Sequence, residues 1–144
     1  MITERLALSV WVGGLCAVGY LAVPVLFASL EDRVLAGELA GTMFRLINGA
    51  GLVCGGWLLA SALAIDGAKA LRAWRSWLIV LMMAVAAVIL LIIQPQMAAL
   101  KAEAAATGAA LSPSFGRLHG LSSGLYMMAS VAGLVLVAAG RRGR

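Results

Sequence analysis

The sequence predicts an all-α, polytopic membrane protein, an up-and-down four-helix transmembrane bundle in a single domain over residues 1–144. Three observations predict it. Hydrophobic residues make up 63% of the chain and charged residues 12%, where soluble domains average roughly 45–50% and about 25%. Mean hydropathy is +1.03, more apolar surface than a soluble fold of this length can hide, so lipid must be the solvent. The apolar residues also fall into four runs, each near the ~20 residues that cross ~30 Å of hydrocarbon at ~1.5 Å per residue. None of the runs alternates with period two, which leaves helices rather than barrel strands.

The first span covers about 6–30 and the second about 41–65; the third covers about 77–100 and the fourth about 118–139. The breaks between them are "EDRVLAGE", "DGAKALRAWRS" and "KAEAAATGAALSPSFGR". A cleavable signal peptide is the alternative for the first span. Its length, its packing glycines and the lack of a small-x-small cleavage site favour a retained helix. Cys16 and Cys54 lie inside apolar runs and read as small core residues, not as a disulfide framework.

Lysine and arginine set the expected orientation. Arg5, then Lys69, Arg72 and Arg75, then Arg141, Arg142 and Arg144 fall on one side. Arg33, Lys101, Arg117 and the more deeply placed Arg45 fall on the other, with Glu31, Asp32, Glu38 and Glu103. The richer side belongs in the cytoplasm, with both termini, and Trp74 and Trp77 then anchor the inner interface. The net charge of +5 sits in short clusters flanking apolar runs, without interleaved aromatics, so nucleic acid is not an expected partner.

Small residues at four-residue spacing mark expected helix contacts: Gly51 with Gly55, Gly120 with Gly124, and Gly13 with Ala17. A longer regularity appears when the chain is shifted by 71 residues. Pro24 then meets Pro95, Gly37 meets Gly108, Phe44 meets Phe115, Asn48 meets His119 and Gly49 meets Gly120. The chain thus reads as two tandem helical hairpins, each with a proline late in its outward helix.

Polar residues gather near one end of the spans. "FGRLHGLSSGLYMM" carries Arg117, His119, Ser122, Ser123 and Tyr126, and His119 is the single histidine of the chain. His119, Ser122, Ser123, Tyr126 and Ser130 follow steps of three and four along one helix face. Arg45, Asn48, Gln94 and Gln96 fall at comparable depth. Polar groups in a membrane are costly and usually face the bundle interior. The expectation is therefore a polar pocket opening toward the periplasm above a glycine-packed inner half. His119 should point inward there, near Asn48 or Arg45 and the Pro95 region. Each residue also has a plainer reading. Arg45 and Arg117 snorkel, the serines bond carbonyls one turn back, and Gln94 and Gln96 repair the proline kink.

The chemistry open to such a pocket is narrow. No carboxylate lies within a span, and Ser122 or Ser123 with His119 lacks an orienting acid. Zinc needs three or four ligands. Copper(I) accepts thioether, which makes His119 with Met97, Met43 or Met127 the metal candidates, and haem has His119 as one axial ligand. No attachment motif or second histidine accompanies either.

The stretch "WVGGLCAVGYLAVPVLFASLEDRVLAGELAGTMFRLINGAGLVCG", then "QPQMAAL", then "FGRLHGLSSGLY", resembles a bacterial multi-pass membrane family of unknown function. That family is domain-of-unknown-function family 4149, which includes transmembrane-protein-205-like proteins. Its most recognisable pieces are "P-x-L-F" after the first span, "AG" and "F-R" entering the second, "P-x-M" closing the third and "LHGLS" opening the fourth. The resemblance implies a bacterial inner-membrane protein and no established reaction. The functional expectation is a non-enzymatic protein whose periplasm-facing pocket binds a small ligand or a partner. The alternative is a transporter or a copper- or haem-handling protein using His119 and nearby methionines. Expected partners are the lipid bilayer, a second copy or another membrane protein.

Overall fold

The computed structural model describes residues 2–139. It contains four helices long and apolar enough to cross a membrane, packed as a bundle. The first runs over Ile2–Ser29 and the second over Arg33–Asp66. The third runs over Trp74–Thr107 and the fourth over Pro113–Ala138. Arg141, Arg142 and Arg144, counted above among the cytoplasmic charges, lie outside the described residues.

Helix ends follow capping chemistry more closely than hydropathy. Asp32 caps the second helix, its carboxylate accepting from the Val34 amide at 2.8 Å and the Leu35 amide at 3.1 Å. The "EDRVLAGE" break is therefore mostly helix. Gly67, with φ of 57°, stops the second helix and opens a 3₁₀ turn over Gly67–Arg72. The third helix runs on through "KAEAAAT", because alanine, lysine and glutamate keep helix propensity while losing hydropathy. Gly108 ends it in the left-handed region, φ 65°, and Pro113 stands in the first turn of the fourth helix.

The first and third helices both widen before their proline. A π-helical segment covers Val18–Ala22 ahead of Pro24, and another covers Ile89–Ile93 ahead of Pro95. Proline lacks the N–H for the carbonyl four residues back, so the ladder must readjust there. The two segments superimpose, residue for residue, under the same 71-residue shift that pairs the prolines.

The core forms where the four helices face one another. Trp11 and Leu15 of the first helix, Leu58 of the second, Met82, Ile89 and Ile93 of the third, and Tyr126 and Leu136 of the fourth are buried together. The fourth helix buries Tyr126, Ala129, Ser130, Ala132, Gly133 and Leu136, and its seam continues toward the N-terminus as half-buried Phe115, Leu118, Ser122 and Leu125.

Gly51 and Gly55 do mark a helix contact. A Cβ on Gly51 would overlap the Trp11 indole, and one on Gly55 would meet Met83 and Trp11. Gly120 and Gly124 do not: nothing lies within 4 Å of a Cβ at either, and Gly13 is equally open. Gly120 sits midway between seam positions Leu118 and Ser122. At about 100° per residue it is carried to the far side of the helix. The close approach on the fourth helix falls instead at Gly133, against Val12 and Met82, and on the first at Gly14, against Ile47.

Candidate functional site

The polar side chains of the packed core bond to near neighbours, whereas the Ser112 Oγ, just ahead of the fourth helix, is buried without a partner among the described residues. Asn48 is 2% exposed, and its amide donates to the Phe44 carbonyl one turn back at 2.8 Å. The Tyr126 hydroxyl donates to the Leu15 carbonyl at 2.7 Å, while its ring meets Phe44 edge-on with centroids 4.9 Å apart. Ser130, also buried, donates to the Tyr126 carbonyl at 2.9 Å. This is a polar seam through the packed core.

The remaining residues do not join it. Arg45 is exposed and donates to the Thr42 hydroxyl at 3.0 Å. Arg117 and Ser123 are exposed, and Ser123 donates to the His119 carbonyl at 2.9 Å. His119 does not point into the bundle beside Asn48. It is exposed, with its ring stacked on Phe115 at 6.2 Å and 9° between planes. The reason lies along the helix rather than around it. His119 projects within about 20° of Tyr126 and Ser130, but no residue from Pro113 to Leu125 is buried, and the packed part of the fourth helix begins at Tyr126. The face shared by His119, Ser122, Ser123 and Tyr126 thus splits, with Tyr126 buried, Ser122 half-buried and the other two outside. Gln94 is half-buried, with its side-chain oxygen toward Gly41 of the second helix.

Gln96 belongs to a different feature. An open groove of about 340 Å³ runs between the third and fourth helices near the 108–112 connection. It is lined by Gln96, Ala99, Leu100, Glu103, Ser114 and Leu118. The third-helix residues stand at the i, i+3, i+4, i+7 spacing of one helical face. Beside it, Lys101 donates to the Gly37 carbonyl at 3.3 Å and lies 5.7 Å from the Phe115 ring centroid. That side chain ties together the second, third and fourth helices. Glu103, Ser114 and Lys101 are absent from the sequence-derived set, because hydropathy ends the third span near residue 100. The one available signal, the helical spacing from Gln96 to Glu103, reaches Glu103 alone.

The metal candidates are not drawn together by the core. Met97 packs against the hydrophobic cluster, and the His119 ring is outside it. Among the described residues no three histidine, cysteine, aspartate or glutamate side chains gather at ligand distance. Cys16 and Cys54 are free thiols, each half-buried.

Four apolar helices of spanning length, with their polar groups paired inside the bundle or held at its ends, define a multi-pass α-helical membrane protein. The chain belongs to the family described as domain of unknown function (DUF4149), whose model matches residues 6–106. The match covers the first two helices and nearly all of the third, and it stops short of "LHGLS". Comparison with curated proteins gave no match, nor did comparison with solved structures.

Proposed function

We propose that this protein is a non-enzymatic membrane protein that binds a small amphipathic ligand in the groove between its third and fourth helices. One observation carries the reading. Gln96, Glu103 and Ser114 share a groove with Ala99, Leu100 and Leu118, polar groups beside an apolar floor, as small-molecule sites have. Lys101 spends its ammonium group on Gly37 and Phe115, which leaves the Glu103 carboxylate as the charge in the lining. A ligand with a cationic or hydrogen-bond-donating head and an apolar body suits that lining. The lysine and arginine asymmetry supports a groove facing the periplasm of a bacterial inner membrane.

Native mass spectrometry of protein extracted directly into polymer nanodiscs tests the binding. The wild type should carry a small-molecule adduct that the Gln96→Leu/Glu103→Leu variant lacks while keeping its helical content. A wild type without an adduct, or a variant that retains it, overturns the reading. Orientation is tested separately in a Cys16→Ala/Cys54→Ala background. An Ala105→Cys protein should react with a membrane-impermeant thiol reagent from the periplasm and an Ala68→Cys protein should not. The reverse pattern would move the groove to the cytoplasmic face.

A further inference from the structure

At the other end of the bundle, a smaller cleft of about 100 Å³ opens where the second helix, the 3₁₀ turn and the third helix meet. Leu59, Leu63, Leu71, Trp77 and Val80 line it with Ala70 and Ser76, and no polar atom faces it. The Trp77 indole N–H is committed to the Leu71 carbonyl at 3.0 Å, which fixes the wide ring beside the turn.

At about 100 Å³ the cleft is too small for a partner helix, whose diameter with side chains is about 10–12 Å. A single alkyl chain is the occupant of matching size and polarity.

Charge identifies what that chain is attached to. Lys69 and Arg72 belong to the same 3₁₀ turn as Ala70 and Leu71 and, three residues apart, share one face of it, so two cationic side chains stand together within one turn of the cleft. Both residues are exposed, and among the described residues no acidic side chain pairs with either. Asp66, the acidic residue nearest in sequence, already has a partner of its own. Arg75 is held over the Trp74 ring, 5.7 Å from its centroid. Trp74 and Trp77 are themselves largely exposed, as aromatic residues at a headgroup boundary are. Basic residues at such a boundary attract anionic headgroups.

We propose that this cleft is a binding site for one anionic phospholipid, with an acyl chain between Leu63 and Val80 and the phosphate paired with Lys69 and Arg72. The site is separate from the groove at the opposite end of the bundle, and neither reading depends on the other. A zwitterionic lipid offers the same chain but no net negative charge. With two basic side chains in the adjoining turn, anionic lipid should be preferred roughly tenfold or more.

The test is native mass spectrometry of detergent-purified protein titrated with phosphatidylglycerol or phosphatidylcholine. Wild type should retain one phosphatidylglycerol at roughly a tenth, or less, of the phosphatidylcholine concentration it needs. Lys69→Gln/Arg72→Gln, two surface changes that leave the core intact, should bring the two lipids level. Val80→Trp, which fills the cleft, should lower retention of both. Millimolar inorganic phosphate should not displace the bound lipid, because the chain anchors it. Equal retention of the two lipids by wild type, an undiminished preference in the double variant, or displacement by phosphate alone would overturn the proposal. If Val80→Trp fails to fold, the Lys69→Gln/Arg72→Gln comparison still decides it.

Discussion

The Tyr126 hydroxyl donates a 2.7 Å hydrogen bond to the Leu15 carbonyl, joining the fourth helix to the first. Leu15 lies in the turn just before the π segment at Val18–Ala22. There the change from four- to five-residue pairing loosens the backbone ladder and leaves a carbonyl open to an outside donor. The Tyr126 ring also lies over Gly19, where a Cβ would overlap it. Tyr126→Phe should keep the ring contact with Phe44 and lose the bond, costing about 0.5–1.5 kcal/mol. Tyr126→Ala, which also leaves a cavity, should cost about 3–5 kcal/mol. Unfolding midpoints in mixed detergent–dodecyl sulfate micelles measure both. Equal losses for the two variants would mean that the hydroxyl contributes nothing beyond the ring.

The glycines separate into two classes by what stands opposite them. Gly51→Ala should cost about 1–3 kcal/mol, because the Trp11 indole occupies the space of the new methyl. Gly120→Ala and Gly124→Ala meet open space. They should be neutral or stabilise by up to about 1 kcal/mol, through helix propensity. The same unfolding assay reads all three. A loss at Gly120 as large as at Gly51 would show that its face packs against something.

Span number, helix type and the second-helix glycine contact were legible in the sequence for a simple reason. Hydropathy over ~20 residues reports immersion directly, and Gly51 and Gly55 lie on the face that holds Asn48. Where along the fourth helix packing begins was not legible. His119, Ser122, Ser123 and Tyr126 lie within about a third of a turn of one another, but no residue from Pro113 to Leu125 is buried and the core starts at Tyr126. Helical spacing gives the direction of a side chain, not how far along the helix its neighbours reach. Helix ends were misjudged for a different reason. "KAEAAAT" loses hydropathy but not helix propensity, so the third helix runs on and carries Glu103 to the groove.

Pro95 should govern the register of that groove. The π segment at Ile89–Ile93 inserts one extra residue into the third helix ahead of it. Pro95→Ala restores an N–H, allows the helix to run as regular α, and turns the residues beyond by about 100°. Gln96, Leu100 and Glu103 would then leave the fourth helix. Crosslinking of a Leu100→Cys/Leu118→Cys pair by a short bifunctional thiol reagent should slow markedly in the Pro95→Ala background. An unchanged rate would show that the wide turn persists without the proline.

His119 and Asn48, paired by the 71-residue shift, should respond oppositely to truncation. Asn48 is 2% exposed and its amide reaches the Phe44 carbonyl. Asn48→Ala removes that bond and leaves a void among packed side chains, a loss of about 1 kcal/mol or more. His119 is exposed, and its one ring contact is with Phe115 on its own helix. His119→Ala should therefore change the unfolding midpoint by no more than about 0.5 kcal/mol. Thiol labelling gives an independent reading. A cysteine at position 119 should react readily in detergent, and one at position 48 should react only after unfolding. A destabilising His119→Ala together with a protected cysteine at position 119 would return the imidazole to the bundle interior.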